Sequence, residues 1–297
     1  MRNINKTIKI TIIIIFVIII NLGVLFLYEP KYKGSINNHQ NLIFAHRGFG
    51  SESLDNSLSS IKKALESDID GVEIDAQITK DGEVIIFHDS YLERLTNGKG
   101  NISDKTLFEI KSYNYTLNSS ITAEKISTFD EVLNIINGST LVILEIKCGS
   151  FDCHQIEQKI VEKINKHNAS NYIIVDSFNP VAIYRIKKAG SKIITMFDFR
   201  DIEPDDPSNT LKIPFFLKKE PFRRAIRKII RPDILSIEIS VSSKTIKSLL
   251  YKGHPVVLWT PNTEKEIKDS FNKDPYAIIT DNPLYAMKIR GELHENS

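Results

Sequence analysis

Side chains that can carry chemistry are concentrated in residues 44–89, in runs that are typical of strand ends. They are His46, Arg47, Glu73, Asp75, His88 and Asp89. Histidine titrates near neutral pH, so two histidines suit complementary acid and base roles. A divalent metal with flanking cations neutralises a phosphoryl oxygen in its transition state. These residue types therefore point to acid-base chemistry on an anionic substrate.

Three carboxylates predict a metal site. Glu73 and Asp75 are two residues apart, so they share one face of one strand. Glu145 stands near the end of a later strand, and Lys147 follows two residues on. Carboxylate oxygens favour a hard cation, so we expect Ca²⁺ or Mg²⁺, with water or substrate oxygen completing the shell. Arg47 and Lys147 are expected to face an anionic group.

A hairpin is expected to bring His88 to these carboxylates. Asp81-Gly82 is a strong signal for a two-residue turn between strand-like runs. The antiparallel register that this turn sets places Asp75 directly opposite His88. Two carboxylates, Glu73 and Asp75, would then share one side of the ribbon with an imidazole.

The remaining chain alternates strand and helix patterns, which is typical of a parallel sheet with crossover helices. This many strands in about 240 residues favours an irregular TIM-type (β/α)8 barrel, with functional groups at the carboxyl ends of the strands. The helix after the first strand is expected at Asn56–Ser67, with Asn56 as its cap. The predicted strands are Leu42–Ala45, Val72–Gln77, Val84–His88, Leu141–Ile146, Tyr172–Asp176, Lys192–Phe197, Ile234–Ile239, Pro255–Trp259 and Ala277–Ile279.

Two segments interrupt this alternation. Residues 91–125 are rich in Asn, Ser, Thr and Gly, and they predict an insertion or a loop over the site. Residues 200–232 contain several prolines and a basic run from Lys218 to Lys228. The second segment is either a solvated loop and helix or a basic, partly apolar element that rests on an anionic membrane.

One N-terminal transmembrane helix is predicted to precede the barrel. Ile10 to Tyr28 is almost unbroken apolar sequence, long enough as a helix to cross a bilayer. Arg2, Lys6 and Lys9 precede it, which favours a cytoplasmic N-terminus and an extracytoplasmic catalytic domain. A cleaved signal peptide is the alternative. The predicted division is a transmembrane anchor at 1–28, a tether at 29–40 and the barrel domain at 41–297.

Composition is that of an ordinary globular protein. Of the 297 residues, 41% are hydrophobic and 26% are charged, which suits one large catalytic domain. Lysine and arginine number 39 against 37 acidic residues, and no segment interleaves basic and aromatic residues, which argues against nucleic acid as a partner. Cys148 and Cys153 either form a small disulfide loop outside the cytosol or remain separate thiols. Two thiols alone do not complete a tetrahedral metal shell.

Taken together, these motifs resemble those of the glycerophosphodiester phosphodiesterases. The resemblance spans residues 41–288 and implies a barrel of the phosphatidylinositol-phospholipase-C type. The matching motifs are His46-Arg47, Glu73-x-Asp75, His88-Asp89, Leu144-Glu145-Ile146-Lys147, Ser177-Phe178, Leu258-Trp259-Thr260 and Ile279-Thr280-Asp281.

The resemblance implies a role for each matching residue. His46 and His88 become the acid-base pair, and Glu73, Asp75 and Glu145 become the ligands of Ca²⁺ or Mg²⁺. The residues implied in substrate binding are Arg47 and Lys147 at the phosphate and Phe178 and Trp259 around the alcohol. One departure concerns Leu54-Asp55-Asn56-Ser57, where the family usually has Pro-Glu-Asn-Thr. Asp55 keeps the charge of Glu but is one methylene shorter, which changes its reach toward His46 and the metal.

The implied activity is metal-dependent hydrolysis of a glycerophosphodiester to sn-glycerol 3-phosphate and an alcohol. The same barrel in a lysophospholipase D or a sphingomyelinase D-like enzyme cleaves lipid headgroups, so a lysolipid is the alternative substrate. A catalytically silent binding barrel is the alternative from another class, suggested only by Asp55. The partners expected are a small-molecule substrate and, through the N-terminal helix, a membrane.

Overall fold

The computed structural model describes residues 6–34, 36, 40–50, 53–148, 153–190, 192–201 and 215–295. Within these ranges, strands and helices alternate along the chain, with short strands and an extra helix between the second barrel strand and the third. Cys148 and Cys153 are joined by a disulfide, which is the first of the two alternatives that the sequence left open.

Twelve strands occur in the described residues, and eight of them form a closed barrel. In chain order they are β1 (Leu42–Ala45), β2 (Gly71–Ile78), β3 (Val84–Ile86), β4 (Thr116–Leu117), β5 (Ser120–Ile121), β6 (Ser127–Thr128), β7 (Leu141–Ile146), β8 (Ile173–Ser177), β9 (Ile194–Phe199), β10 (Ile234–Glu238), β11 (Val256–Trp259) and β12 (Ala277–Thr280). The barrel consists of β1, β2 and β7 to β12, all parallel, and it closes because β1 pairs with both β2 and β12. The predicted TIM-type barrel is confirmed.

Helices between the barrel strands supply the crossover connections that parallel neighbours require, and one further helix precedes the first strand and another follows the last. In chain order they are α1 (Lys6–Leu27), α2 (Leu58–Leu65), α3 (Leu107–Ser112), α4 (Phe129–Ile136), α5 (His154–Lys166), α6 (Pro180–Ala189), α7 (Glu220–Ile230), α8 (Ser243–Tyr251), α9 (Glu264–Phe271) and α10 (Pro283–Glu295). Capping boxes at Thr128 and Thr263 fix where α4 and α9 begin, because each threonine and a glutamate three residues later satisfy backbone N–H groups reciprocally.

Alternate strand positions divide the core into two layers. In β9, Met196 belongs to the apolar cluster inside the barrel, whereas Phe197 and Phe199 belong to the layer between strands and helices. Between those two phenylalanines, Asp198 is buried and points to the interior side. The interior therefore changes from apolar to polar toward the carboxyl ends of the strands.

The hairpin between β2 and β3 differs from the predicted one. The observed pairs are Ala76 with Ile86 and Ile78 with Val84, so the register is shifted by one residue and Asp75 does not face His88. The loop has three residues instead of two, because Thr79 already pairs with Glu83. Gly82 takes the left-handed conformation, with φ 83°, that such three-residue loops require. The predicted register is therefore wrong.

Residues 91–125 fold into a compact insertion with its own apolar cluster. Leu92, Ile102, Ile110 and Tyr115 are fully buried there, together with Phe87 just beyond β3. The two-stranded β4–β5 hairpin and helix α3 belong to this insertion. Although the insertion is mostly polar, its few apolar residues are completely buried, and their packing holds it against the barrel.

Candidate active site

Three carboxylates meet at the carboxyl end of the barrel. Glu73 and Asp75 lie on one face of β2, and the parallel register of β2 with β7 sets Glu145 directly beside Asp75. Each residue offers an oxygen within 4.8 Å of the others, and Glu73 and Asp75 are buried. The cluster that the sequence predicted is therefore assembled by two neighbouring strands.

The electrostatics of this cluster are those of crowded anions. Burial and the charges of Asp75 and Glu145 raise the pKa of Glu73 well above its usual value. Burial also raises the pKa of Glu145 to about 7, although Lys147 opposes that shift. Asp75 is equally buried, but Lys147, His88 and Arg47 together hold its pKa below the usual range. Lys147 Nζ lies 3.0 Å from Asp75 and 2.8 Å from Glu145.

The donor set fits a hard divalent cation. Three carboxylates supply only oxygen atoms, which Ca²⁺ and Mg²⁺ prefer, and none of the three is a nitrogen or sulfur ligand. Burial is the main cause of the raised pKa values of Glu73 and Glu145, and the charges of neighbouring carboxylates add to it; a bound cation would offset both costs. The residues present are therefore compatible with the metal that the family resemblance implies.

His46 is held at the end of β1 by a carboxylate on the neighbouring strand end. Its Nδ1 lies 2.6 Å from Asp281 Oδ1, and Asn262 donates to the other oxygen of Asp281 at 2.6 Å. Burial alone would raise the pKa of Asp281, but these contacts, above all the hydrogen bond with His46, lower it. Asp281 is therefore an ionised carboxylate that accepts this hydrogen bond, and Nδ1 of His46 carries the proton that it donates. The Nε2 atom is directed toward Glu73, 3.9 Å from its Oε2.

A tight loop after His46 makes this placement possible. Arg47 adopts a left-handed conformation, with φ 51°, and its backbone N–H donates to Glu73 at 2.9 Å. A Cβ on Gly50, whose φ is 64°, would lie only 2.1 Å from the backbone oxygen of Asp281. Glycine at this position therefore lets the His46 loop approach the strand end that carries Asp281.

His88 reaches the site from a bend beyond β3 and not from the strand itself. Its Nδ1 lies 2.7 Å from Asp89 Oδ1, and Arg94 binds both oxygens of Asp89. Burial lowers the pKa of His88, and the positive charge of Lys147 adds to this effect. The two candidate acid-base groups therefore share one design, in which a carboxylate holds each Nδ1.

Asp55 and Asn56 contact different partners from those the sequence suggested. Asp55 Oδ2 accepts from Arg47 at 3.0 Å and from Arg94 at 3.2 Å. Asn56 does not cap α2, because Ser57 occupies that position. Instead, Asn56 adopts a left-handed conformation and exchanges two hydrogen bonds with Asp75, one from Nδ2 to the carboxylate and one from the Asp75 N–H to Oδ1.

Two aromatic side chains stand at the barrel mouth, one after β8, which neighbours β7, and one on β11. Phe178 follows β8 and Trp259 ends β11, and their rings meet edge to face with centroids 5.7 Å apart. The guanidinium of Arg200 lies over the Phe178 ring, 4.8 Å from its centroid. Both predicted pocket residues therefore lie together, beside a cation that the sequence reasoning did not assign to the site.

Sequence reasoning gave no role to several residues that the fold brings to this site. Asp89 and Asp281 were visible as polar residues after strands, but nothing in the sequence paired them with a histidine. Asp176 and Asp198 are buried, and burial raises the pKa of both carboxyl groups. Arg94 lies in the insertion, and its spacing from His88 carries no periodic signal.

A family model for the glycerophosphoryl diester phosphodiesterase family matches residues 46–285. The match runs from the first candidate histidine past Asp281, and it includes every residue of the site described above. The chain belongs to this family. A glycerophosphodiester phosphodiesterase of Bacillus altitudinis is 30% identical over 258 residues, which are 84% of this chain and 98% of that relative. The glycerophosphodiester phosphodiesterase of Caldanaerobacter subterraneus is 34% identical over 168 residues, 55% of this chain and 69% of that relative.

Solved glycerophosphodiester phosphodiesterases share the fold. An Oleispira antarctica phosphodiesterase, in complex with the product sn-glycerol-3-phosphate, has a TM-score of 0.70 and 23% identity, covering 84% of this chain and 96% of that one. The Thermotoga maritima enzyme has a TM-score of 0.65 and 24% identity, with 84% and 99% covered. The family model and the Bacillus altitudinis relative make the chain a glycerophosphodiester phosphodiesterase, a phosphoric diester hydrolase, and the solved structures add the shared fold.

Proposed function

We propose that hydrolysis depends on a divalent metal held by Glu73, Asp75 and Glu145 and on acid-base catalysis by His46 and His88. The observation that carries this proposal is the convergence of the three carboxylates with two imidazoles whose Nδ1 atoms are each bound by a carboxylate. When bound, Ca²⁺ or Mg²⁺ would supply positive charge to a phosphoryl oxygen.

The two histidines divide the proton transfers. Because each Nδ1–H is held by a carboxylate, each Nε2 is the atom available to the substrate. One histidine starts as the neutral imidazole, and its Nε2 takes the proton of the attacking oxygen; the other starts as the imidazolium, and its Nε2–H gives a proton to the departing alkoxide. The attacking oxygen belongs to water or to the neighbouring glycerol hydroxyl, which would give a cyclic phosphate first. The lowered pKa of His88 keeps its imidazole neutral at pH 7, which suits the role of base.

The cations and aromatic rings bind the two ends of the substrate. Arg47 and Lys147 stand beside the carboxylate cluster, where they add positive charge at the phosphate. The paired rings of Phe178 and Trp259 supply an apolar surface at the mouth, where the alcohol part is proposed to bind. A human lysophospholipase D is 24% identical over 300 residues, covering 91% of this chain, so a lysolipid is the second candidate substrate.

Product release tests the substrate proposal. Purified full-length enzyme in detergent is given glycerophosphodiesters with neutral, cationic and anionic alcohols, together with lysophospholipids and sphingomyelin. Release of sn-glycerol 3-phosphate from the glycerophosphodiesters is expected, with loss of activity on chelation and recovery with Ca²⁺ or Mg²⁺. Cleavage of lysolipids alone would overturn glycerophosphodiesters as the preferred substrate. Full activity of the chelated enzyme would refute the metal assignment.

Helix α1 is proposed to remain attached as a single membrane anchor, with the barrel outside the cytoplasm. Its apolar side chains are exposed along the helix, as in a lipid-facing segment. Helix α7 binds its C-terminal end: Arg224 donates to the carbonyls of Phe26 and Leu27, and Lys228 to those of Val24 and Leu25. Cleavage after Tyr28 would remove these acceptors, which favours an anchor over a cleaved signal peptide.

Just beyond α1, Glu29 is buried against α7. Its carboxylate accepts from Arg227 at 2.5 Å and from Arg224 at 3.3 Å, and the side chains of Glu29 and Arg227 are only 3% and 2% exposed. A buried ion cluster of this kind holds its members in one arrangement, because moving Glu29 away would take a charged acceptor from both arginines, although Arg227 would keep Glu220 at 2.6 Å. The segment after α1 is therefore a docked connection to the barrel.

A further inference from the structure

Arg94 connects the insertion to the candidate acid-base group His88. Its Nε donates to Asp89 Oδ2 at 2.5 Å and its Nη2 to Asp89 Oδ1 at 2.8 Å, which is the bidentate geometry that arginine makes with a carboxylate. Asp89 Oδ1 is also the atom 2.7 Å from His88 Nδ1. Arg94 therefore fixes the plane of the carboxylate that holds the imidazole.

The backbone around Arg94 is well anchored even though its side chain is 51% exposed. Leu92, two residues before it, is completely buried in the apolar cluster of the insertion, and its N–H donates to the carbonyl of Gly100. The Thr96 N–H and hydroxyl both donate to the Leu92 carbonyl, which closes a turn around Arg94. The guanidinium thus projects from a fixed turn.

The same guanidinium also reaches the loop of the other histidine. Asp55 Oδ2 accepts from Arg94 Nη2 at 3.2 Å and from Arg47 Nη1 at 3.0 Å. Arg47 in turn follows His46 and is held by Glu73 through its backbone N–H. One connected set of contacts therefore runs from His88 through Asp89, Arg94 and Asp55 to the His46 loop.

We propose that Arg94 is a positioning residue, which aims His88 at the reacting phosphodiester by clamping Asp89 and ties the His88 segment to the His46 loop through Asp55. The proposal rests on the proposed acid-base role of His88. It assigns a catalytic purpose to the insertion, since residues outside the barrel strands supply the clamp. Because Arg94 acts through Asp89, its loss should change the chemical step and leave substrate binding nearly intact.

The variants Arg94→Met and Arg94→Lys test this in the full-length enzyme. Methionine keeps the length without the charge, so kcat should fall roughly 10- to 100-fold, the scale of a displacement of about 1 Å at a reacting group, with KM within about twofold. Lysine keeps one charged donor but loses the planar fork, so it should recover part of the lost kcat. The matched control is Arg185→Met. Arg185 pairs with Glu157 at 3.4 Å on helices α5 and α6, outside the candidate site, so its loss should leave kcat unchanged.

A readout independent of activity separates this proposal from the proposed function. The Nδ1 proton of His88 gives a downfield proton resonance, identified by its loss in His88→Gln, and the resonance of His46 serves as internal control. Arg94→Met should shift or broaden the His88 resonance and leave that of His46 in place.

Each remaining result is decisive. An unchanged His88 resonance overturns the positioning role, whatever happens to kcat. A changed resonance with full activity also overturns it if His88→Gln is inactive. If His88→Gln is itself fully active, the acid-base proposal fails, while the resonance still decides whether Arg94 holds His88. Should Arg94→Met unfold, Arg94→Lys gives the same comparison with the charge retained.

Discussion

Metal binding by the carboxylate cluster should depend on pH, because at least one ligand must lose a proton. Burial raises the pKa of Glu145 to about 7. Only the ionised carboxylate binds a metal, so a cation must displace the proton below that pH and meets no competition above it. The apparent affinity for Ca²⁺ or Mg²⁺ should therefore rise with pH through about 7 and then level off.

The size of the effect follows from the shift. With one proton of pKa about 7 to displace, binding should be about 10-fold weaker at pH 6 than at pH 8. The pKa of Glu73 is also raised, by burial and by the charges of Asp75 and Glu145. If its proton must leave as well, the ratio steepens to as much as about 100-fold. The two cases differ in the number of protons released.

Calorimetric titration of the full-length enzyme with each metal at pH 6, 7 and 8 measures both quantities. Repeating it in buffers of different ionisation enthalpy gives the protons released per metal. Glu145→Gln should weaken binding and flatten its dependence on pH, whereas Glu238→Gln, at the end of β10 on another side of the mouth, should change neither. Binding that is independent of pH and releases no proton would refute the reasoning, as would wild-type affinity in Glu145→Gln.

Three further outcomes are expected. His46→Ala and His88→Ala should each lower kcat/KM at least about 10²-fold, and the double variant should lose far less than the product of these two factors. A double-variant loss in kcat/KM equal to that product would contradict joint action on one step. Of two reporters fused after Ser297, the one that works only outside the cytoplasm should be active and the one that works only in the cytosol should be silent. The opposite result would reverse the proposed orientation. Glu29→Ala should reduce the free energy of unfolding by about 2 kcal/mol, because Arg224 and Arg227 lose a charged acceptor while Arg227 keeps Glu220, whereas Lys268→Ala at an exposed pair should change it much less. Equal midpoints in denaturant for these last two variants would contradict a docked connection.

The sequence predicted the barrel and most of the side chains at its mouth because both follow from strand periodicity. Polar residues at the ends of apolar runs, such as Glu73, Asp75 and Glu145, collect at one rim once parallel strands close into a barrel. The residues missed are those whose partners lie across loops. Arg94 reaches Asp89 through a turn that buried Leu92 anchors, and no pattern in the chain encodes that turn.

The hairpin shows how a local turn redirects a functional residue. A three-residue loop ending in left-handed Gly82 shifts every pair by one position relative to a two-residue turn. If β3 continued to His88, that shift would turn its side chain away from the face of Asp75. Instead, β3 ends at Ile86, and Phe87 is buried in the insertion, so the chain bends and His88 approaches the carboxylates from outside the sheet.

Helix α7 shows why charge alone does not identify a partner. The sequence left open whether its basic run stays in solvent or rests on an anionic membrane. An anionic headgroup and the C-terminal end of a helix both present partly negative oxygens to a cation. Arg224 and Lys228 donate to the last carbonyls of α1, and Arg227 is buried against Glu29. These cations are thus engaged by the segment that precedes the barrel, so neutralising them should loosen that segment before it changes any preference for anionic lipid.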